Sequence, residues 1–386
     1  MDIRTLLKEM NDRGASDLYL TVDSPPVIRV EGFNQTLEAE PLSGPDVEAL
    51  ANSVMTERQR AIFEETMEMN LAVASSKLGR FRVNVFRQRG AVGAVVRKIK
   101  TEIPTVDDLG LPESLKEIAM TKRGLVLVTG ATGSGKSTTQ AAMIDHRNER
   151  TAGHIITVED PIEFVHPHKG CIVNQREVGL DTVSFSEALR NTLRQAPDVI
   201  LIGEVRDRET MEAAITFADT GHLCLATLHS NNANQAIERM MNFFPLDRHA
   251  EIYLQLSLNL RAIISQRLVP GVDGRRVAAM EIMIDTPRVK DLIKKGEIDT
   301  LKEAMEQSTQ EGGQTFDQAL YELYQQGLVS AEQALTNADS ANNLRIRIKN
   351  LDLRQRGPGR SKLTAEDEGN LRIQGVVPAS GTLRRG

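Results

Sequence analysis

The segment Gly130–Ser137, with the sequence GATGSGKS, constrains the fold of this chain more than any other feature. It fits the pattern G-x4-G-K-[ST] and directly follows the apolar run Leu125–Thr129. Glycines let such a loop curl until its backbone N–H groups point at phosphate oxygens, and the following helix adds its positive N-terminus. The pattern therefore predicts a strand, a phosphate-binding loop and a helix in an α/β protein that binds a nucleoside triphosphate.

Two side chains of this loop are predicted to contact different parts of the ligand. Lys136 is expected to reach the β- and γ-phosphates of the nucleotide, and the hydroxyl of Ser137 is expected to bind Mg²⁺. The residues expected to hold the nucleotide are Gly130, Ala131, Thr132, Gly133, Ser134, Gly135, Lys136, Ser137 and Thr138.

From Gly124 onward, short apolar runs alternate with helical stretches, which predicts a parallel sheet covered by helices on both faces. The predicted strands are 125–129, 155–158, 199–202 and 223–228. The predicted helices are 136–150, 184–196, 207–219, 232–243 and 249–268, and 286–350 is expected to be largely helical.

The first hundred residues predict a smaller α+β unit. Apolar residues at helical spacing indicate a helix over 2–13, short alternating runs indicate strands at 17–21 and 27–30, and 45–70 is expected to be helical. The expected organisation is an N-terminal domain at 1–100, a linker at 101–123, a domain with the phosphate loop and C-terminal helices at 124–350, and a disordered basic tail at 351–386.

Composition narrows the possible functions. The net charge is −6 and aromatic residues make up only 4%, which argues against a nucleic-acid-binding face. No run of 18 apolar residues occurs and the N-terminus lacks the pattern of a secretory signal, so the chain is expected to be cytoplasmic, without a membrane span. Two cysteines, Cys171 and Cys224, are too few for a disulfide framework and are expected to be buried thiols.

Acidic residues follow two of the predicted strands, where open α/β sheets place their ligands. Glu204 follows the strand at 199–202 and is expected to hold Mg²⁺ and its water shell. Glu163 follows the strand at 155–158 and is expected to orient the attacking water. Glu159 and Asp160 are expected to support these two acids or to be linked to the metal.

Two histidines, His222 and His229, flank the predicted strand at 223–228. A strand of this length separates them by about 23 Å, so they cannot share a metal. Each is expected either to sense the γ-phosphate or to be satisfied by backbone groups at the end of the strand.

Residues 80–97 predict a β-hairpin rich in arginine. A two-residue turn at 89–90 places Arg82 directly opposite Arg97, and like charges in that position destabilise a sheet unless an anion lies over them. Arg82 and Arg97 are therefore candidates for contacting the γ-phosphate from another domain or subunit, and a solvated basic face is the alternative. Weaker candidates are Arg80, Arg87, Arg89 and Arg123.

Four segments, GATGSGKST, ITVEDPIEFVH, DVILIGEVRD and TGHLCLATLHS, together resemble the Walker A, Asp box, Walker B and His box of the secretion and pilus motor ATPases. The similarity is greatest to the type IV pilus retraction motors, the PilT/PilU family. The resemblance implies an N-terminal PAS-like domain and a C-terminal RecA-like ATPase domain, assembled as a homo-hexamer. It assigns catalytic roles to Glu163, Glu204, His222 and His229, together with arginines of the 80–97 hairpin.

Within that family, the stretch Pro287–Ile293 departs from the Ala-Ile-Arg-Asn-Leu-Ile signature typical of PilT, and the segments 312–320 and 337–344 are similar to PilU. The resemblance therefore implies an accessory motor that depends on a PilT-type ATPase. It is expected to act at the inner-membrane face of the pilus machine, on a PilC-type platform protein, in pilus retraction and twitching motility. The alternatives are an ATP-binding adaptor with little turnover and a RecA-like nucleic-acid translocase.

Overall fold

The computed structural model describes residues 2–356, with side chains described over 2–351. An antiparallel sheet of six strands forms its N-terminal part, in the order β3-β2-β1-β6-β5-β4. The strands are β1 Asp17–Leu20, β2 Val27–Val30, β3 Phe33–Thr36, β4 Glu68–Ser75, β5 Gly79–Gln88 and β6 Ala91–Lys98. The helices packed with this sheet are α1 Ile3–Asp12, α2 Gly44–Val54 and α3 Glu57–Thr66.

The helical prediction for 45–70 is confirmed over most of its length, but two capping boxes divide the segment into two helices and a strand replaces its end. Ser43 caps α2, and Thr56 with Gln59 begins α3 as a separate helix. Met67 adopts a left-handed conformation (φ +62°) that ends α3, and residues 68–75 then pair with β5. The alternation that places Met69 and Leu71 in the core is a strand pattern that the helical interpretation missed.

A second sheet of seven strands has the order β13-β12-β7-β11-β10-β8-β9. Its strands are β7 Gly124–Thr129, β8 Gly153–Glu159, β9 Cys171–Glu177, β10 Val199–Ile202, β11 Leu223–Leu228, β12 Leu260–Pro270 and β13 Arg276–Ile284. All neighbouring strands are parallel except β12 and β13, which form an antiparallel hairpin.

Helices cover both faces of this sheet, as the alternating pattern predicted. Along β7, Leu125 and Leu127 belong to one buried apolar cluster while Val126 and Val128 belong to another. The α-helices are α4 Ser114–Ala119, α5 Lys136–Arg150, α6 Phe185–Thr192, α7 Arg208–Asp219, α8 Ala233–Met241, α9 His249–Asn259, α10 Pro287–Lys295, α11 Leu301–Gln307, α12 Phe316–Gln325, α13 Ala331–Asn337 and α14 Ala341–Arg356. Short 3₁₀ turns occur at Leu193–Gln195, Leu246–Arg248, Ile298–Thr300 and Thr309–Glu311.

The expectation of one helix over 249–268 is wrong in its second half. Helix α9 ends at Asn259, and residues from Leu260 onward form β12 between β7 and β13. A strand buried on both sides is a nearly continuous apolar run, which periodicity alone does not distinguish from a buried helix.

At the C-terminus, α14 continues through Arg356, beyond the predicted start of the tail at 351. The remainder of that predicted tail lies outside the described residues. Within residues 2–356, no helix is both long enough and apolar enough to cross a membrane. Cys171 and Cys224 are both buried thiols, as expected.

A buried carboxylate in β13, Glu281, makes the stability of the fold depend on pH. Glu281 is only 2% exposed, accepts a hydrogen bond from the Ala233 N–H (2.7 Å), and burial raises its pKa to about 7. Because the folded state holds a proton that the unfolded chain releases near pH 4.5, this residue's contribution to stability is present at low pH and lost as the pH rises through 7. The unfolding free energy of Glu281→Gln, relative to wild type, is expected to increase by about 2–3 kcal/mol between pH 5 and pH 8.

Urea denaturation at the two pH values measures this difference. Glu48→Gln, on the exposed side of α2, is the control and is expected to follow wild type at both values. Parallel pH profiles for Glu281→Gln and wild type would contradict the prediction.

Candidate functional site

The loop between β7 and α5 has the curled backbone that the glycine pattern predicted. Gly130, Gly133 and Gly135 have φ values of +146°, +77° and +92°, which L side chains rarely adopt. A Cβ at Gly130 would lie 2.5 Å from the backbone oxygen of Gln266 in β12. The loop is therefore closely packed against β12, and its conformation requires glycine at these positions.

Gly130→Ala is expected to destabilise the protein by about 1–3 kcal/mol and to weaken nucleotide binding, because both the positive φ and the contact with Gln266 oppose a methyl group. Thermal unfolding and binding of a fluorescent ADP analogue measure the two effects. Gly32→Ala, where φ is +86° but the added Cβ meets nothing within 4 Å, is the control for backbone strain alone. Equal behaviour of the two variants would show that the contact with β12 is unimportant.

Lys136 is the first residue of α5 and is folded back over its own loop. Its Nζ donates hydrogen bonds to the carbonyl oxygens of Gly130 (2.9 Å) and Ala131 (3.0 Å). Burial lowers the pKa of this lysine, and the negative charges of Glu204 and Glu163 act in the opposite direction. The ammonium group therefore lies within the field of the two acids that the sequence singled out.

A hydrogen bond also connects the first turn of α5 to strand β12 of the sheet. The Thr139 hydroxyl donates to the side-chain oxygen of Gln266 at 2.7 Å, and both residues are buried. Because Gln266 also supplies the backbone oxygen next to Gly130, one residue of β12 supports both ends of the loop.

A cleft of about 560 Å³ opens above the loop, a size typical of small-molecule sites. Among the residues that line it are Thr132, Gly133, Gly135, Lys136, Ser137, Thr138, Glu159, Asp160, Glu163, Glu204, Arg206 and His229. The acids arrive from the carboxyl ends of β8 and β10, which meet at the same edge of the parallel sheet as the loop after β7.

Both carboxylate oxygens of Glu204 have basic partners. Its Oε1 lies 3.2 Å from Nε2 of His229, and its Oε2 lies 2.7 Å from the guanidinium of Arg206. Arg206 also lies 3.3 Å from Asp160. These contacts join the segment after β8, the segment after β10 and the end of β11 into one polar network.

Glu159 lies behind the other acids at the end of β8. Burial raises its pKa to about 7, while hydrogen bonds from Thr157 (2.6 Å) and Gln175 (3.1 Å) oppose that rise. A carboxyl group in this environment is better suited to a structural role than to holding a cation.

Three of the loop residues predicted to hold the nucleotide, Gly130, Ala131 and Ser134, are not part of the cleft lining. Outside the loop, three residues with predicted catalytic roles also do not reach the cleft. His222 precedes β11 at the opposite end from His229, and its Nδ1 contacts the Thr220 hydroxyl and the Phe217 carbonyl. Arg82 and Arg97 do face each other in the predicted register, but neither lines the cleft formed by the described residues. Arg97 pairs with Asp17 (2.8 Å), and Arg82 lies 3.8 Å from Glu177.

The cleft also contains residues that no sequence motif singles out. Leu268 and Arg276 line it from the β12–β13 hairpin, which the helical interpretation of 249–268 concealed. Arg206 follows Glu204 closely in the sequence, and that spacing was the available signal for its position in the network.

The residues of the cleft fit a magnesium nucleotide. The described residues contain no group of three or more His, Cys, Asp and Glu side chains that could hold a metal unaided. Mg²⁺ is usually bound by one or two protein oxygens together with phosphate oxygens and water. Ser137 and Glu204 line the cleft with oxygen atoms of that kind, those of Glu204 being paired here with His229 and Arg206, and the curled loop and Lys136 lie beside them.

Comparison with known proteins agrees with this geometry. The family described as "Type II/IV secretion system protein" matches residues 2–351. The chain is 56% identical to the type IV pilus ATPase PilU of Pseudomonas aeruginosa, over 90% of this chain and 92% of that protein. It is 46% identical to the type IV pilus retraction ATPase PilT of the same organism, over 89% of this chain and all of PilT.

Solved structures show the same fold. A crystal structure of the pilus retraction motor PilT with bound ADP superposes with a TM-score of 0.84 at 44% identity, covering 90% of this chain and 99% of that one. The ATPase DotB of Legionella pneumophila superposes with a TM-score of 0.70 at 28% identity, covering 86% and 94%. The predicted α/β ATPase fold is thereby confirmed, and the chain belongs to the type II/IV secretion system protein family, with the type IV pilus ATPases PilU and PilT among its relatives.

Proposed function

We propose that this chain is the Mg²⁺-dependent, ATP-hydrolysing subunit of a hexameric motor that drives type IV pilus retraction and twitching motility. The observation that carries the proposal is the meeting of Lys136, Glu163 and Glu204 at one cleft, above a loop shaped for phosphates. The similarity to PilU and PilT over nine-tenths of the chain supports the biological role.

In this mechanism each residue has a defined task. The loop amides and Lys136 bind the phosphates, while Glu163 accepts a hydrogen bond from the attacking water and orients it toward the γ-phosphate. Ser137 and Glu204 would hold the metal ion, which when bound would neutralise phosphate charge. His229, next to Glu204, orients that carboxylate. It also senses the γ-phosphate and relays its loss to the neighbouring loop.

Arg82 and Arg97 contribute positive charge after a domain movement. We place the moving units at residues 1–100 and 124–350, joined by the linker 101–123. Closure of the hairpin over a nucleotide, in the same or a neighbouring subunit, brings an arginine to the γ-phosphate, and hydrolysis releases it. A heterologous interface that closes into a ring lets successive subunits make this movement in turn.

The role is that of an accessory motor working with a PilT-type ATPase on a PilC-type platform protein at the cytoplasmic face of the inner membrane. The higher identity to PilU than to PilT supports this assignment. The stretch Pro287–Ile293, which departs from the PilT signature, forms most of α10.

Two experiments test the proposal. The purified chain is expected to hydrolyse ATP with Mg²⁺ and to lose activity when EDTA is present, and an inactive chain would leave only the adaptor function. Deletion and complementation, with and without the PilT-type ATPase, are expected to show retraction that needs both proteins. Full retraction by this chain alone would refute the accessory role.

A further inference from the structure

Glu177 ends β9, and its position is fixed by its own backbone. Its carbonyl oxygen accepts hydrogen bonds from the N–H groups of Leu180, Asp181 and Thr182, and its N–H donates to the Asp181 carboxylate. The residue is only 1% exposed. Burying a carboxylate costs free energy unless hydrogen bonds or positive charges compensate for the lost water.

One of its oxygens contacts the segment that carries Glu163. The Glu177 Oε2 accepts a hydrogen bond from the N–H of Ile162, the residue immediately before Glu163, at 3.3 Å. This contact fixes the backbone of the segment next to the acid that we assign to the attacking water.

The other oxygen faces the arginine-rich hairpin. Glu177 Oε1 has no hydrogen-bond partner among the described residues and lies 3.8 Å from Nε of Arg82. Arg80, two residues earlier on β5, also acts on this carboxylate, and its buried Nε has no partner among the described residues. Burial raises the pKa of Glu177, and the charges of Arg82 and Arg80 oppose that rise.

The segment carrying Glu163 is also hydrogen-bonded to the residues that directly follow the hairpin. The Lys100 N–H donates to the Glu163 carbonyl (3.3 Å), and the Val165 N–H donates to the Lys100 carbonyl (2.9 Å). One residue earlier, the Ile99 N–H donates to the carbonyl of Arg80 at 2.9 Å. In this arrangement, backbone hydrogen bonds therefore connect the end of the hairpin to the segment with Glu163, and Glu177 at the end of β9 contacts both.

We propose that Glu177 is a positioning residue that holds Arg82 away from the nucleotide and, through the Ile162 N–H, keeps Glu163 in place. This inference rests on the proposed function. When Arg82 leaves Glu177, a buried carboxylate loses its positively charged partner, which costs free energy. Arg82 therefore transfers only to a stronger anion such as the triphosphate. Glu177 thereby couples closure of the hairpin to the presence of ATP.

Two variants separate these roles. Glu177→Gln keeps an oxygen for the Ile162 N–H but removes the charge that holds Arg82. It is expected to lower the KM for ATP about threefold or more, with kcat within about twofold of wild type. Glu177→Ala also removes the acceptor, and kcat is expected to fall about tenfold or more as Glu163 loses its position.

Two further variants complete the experiment. If Glu177 acts through Arg82, adding Glu177→Gln to Arg82→Gln leaves KM at the value of Arg82→Gln alone. Asp145→Asn is the matched control, because Asp145 is also buried, has an oxygen without a partner among the described residues, and pairs with a cation, Lys169, at 2.8 Å. It is expected to leave both parameters unchanged.

A KM for Glu177→Gln that equals or exceeds that of wild type overturns the inference, whatever happens to kcat. This result is distinct from failure of the proposed function, in which the wild-type chain itself does not hydrolyse ATP. In that case the ratio of Kd values for a non-hydrolysable ATP analogue and for ADP, in wild type and Glu177→Gln, still tests the inference. The isosteric glutamine variant keeps the test available if Glu177→Ala does not fold.

Discussion

Replacing Lys136 with glutamine is expected to lower kcat for ATP at least about a hundredfold and to weaken nucleotide binding, because the ammonium group is the only loop side chain carrying positive charge toward the phosphates. Its position at the start of α5, 9% exposed and in the field of Glu163 and Glu204, leaves no other cation of the loop to take its place. Steady-state ATPase assays and titration with an ADP analogue measure both effects.

Loss of activity in this variant is not expected to come from unfolding. Burial lowers the pKa of Lys136, so the fold disfavours its charged form, and a neutral side chain of similar length removes that cost. The melting temperature is therefore expected to stay close to that of wild type. Lys294→Gln, an exposed change on α10, controls for the loss of one positive charge. Turnover within a few-fold of wild type in Lys136→Gln would contradict the mechanism.

The sequence predicted the centre of the fold well because the phosphate loop fixes its surroundings. The loop pattern required a strand before it and a helix after it, and α5 spans the predicted residues 136–150. The hairpin register followed from a two-residue turn, and Gln88 and Ala91 do pair, as do Arg82 and Arg97. In both places a short local pattern determined the geometry.

Partners that come together only in the folded chain were not predictable in this way. Glu177 ends β9, whose polar sequence CIVNQRE at the edge of the sheet gave no strand signal, so its contact with Arg82 had no counterpart in the sequence. The arginine pair was expected to need an anion, and the structure supplies carboxylates of the same chain, Asp17 and Glu177, at that face. Like charges on facing strands predict an anion at that face, but they do not identify which anion it is.

Glu163→Gln is expected to lower kcat by about 10²–10⁴-fold while the affinity for a non-hydrolysable ATP analogue changes less than about threefold. The physical reason is that an amide oxygen retains one hydrogen-bond acceptor but loses the negative charge that orients and polarises the water. Phosphate binding remains with the loop and Lys136, which this substitution does not touch. Single-turnover hydrolysis and analogue binding separate the two quantities.

The same substitution at Glu204 distinguishes the two acids. Because Glu204 is assigned to the metal, Glu204→Gln is expected to raise the Mg²⁺ concentration needed for half-maximal activity, whereas Glu163→Gln leaves that concentration unchanged. Glu303→Gln, an exposed acid on α11, is the control for both and is expected to match wild type. Each acid reaches the cleft from a different strand, and the chemistry of each follows from what it contacts there. If Glu163→Gln instead shifted the Mg²⁺ requirement and retained kcat at saturating metal, the roles assigned to the ends of β8 and β10 would have to be exchanged.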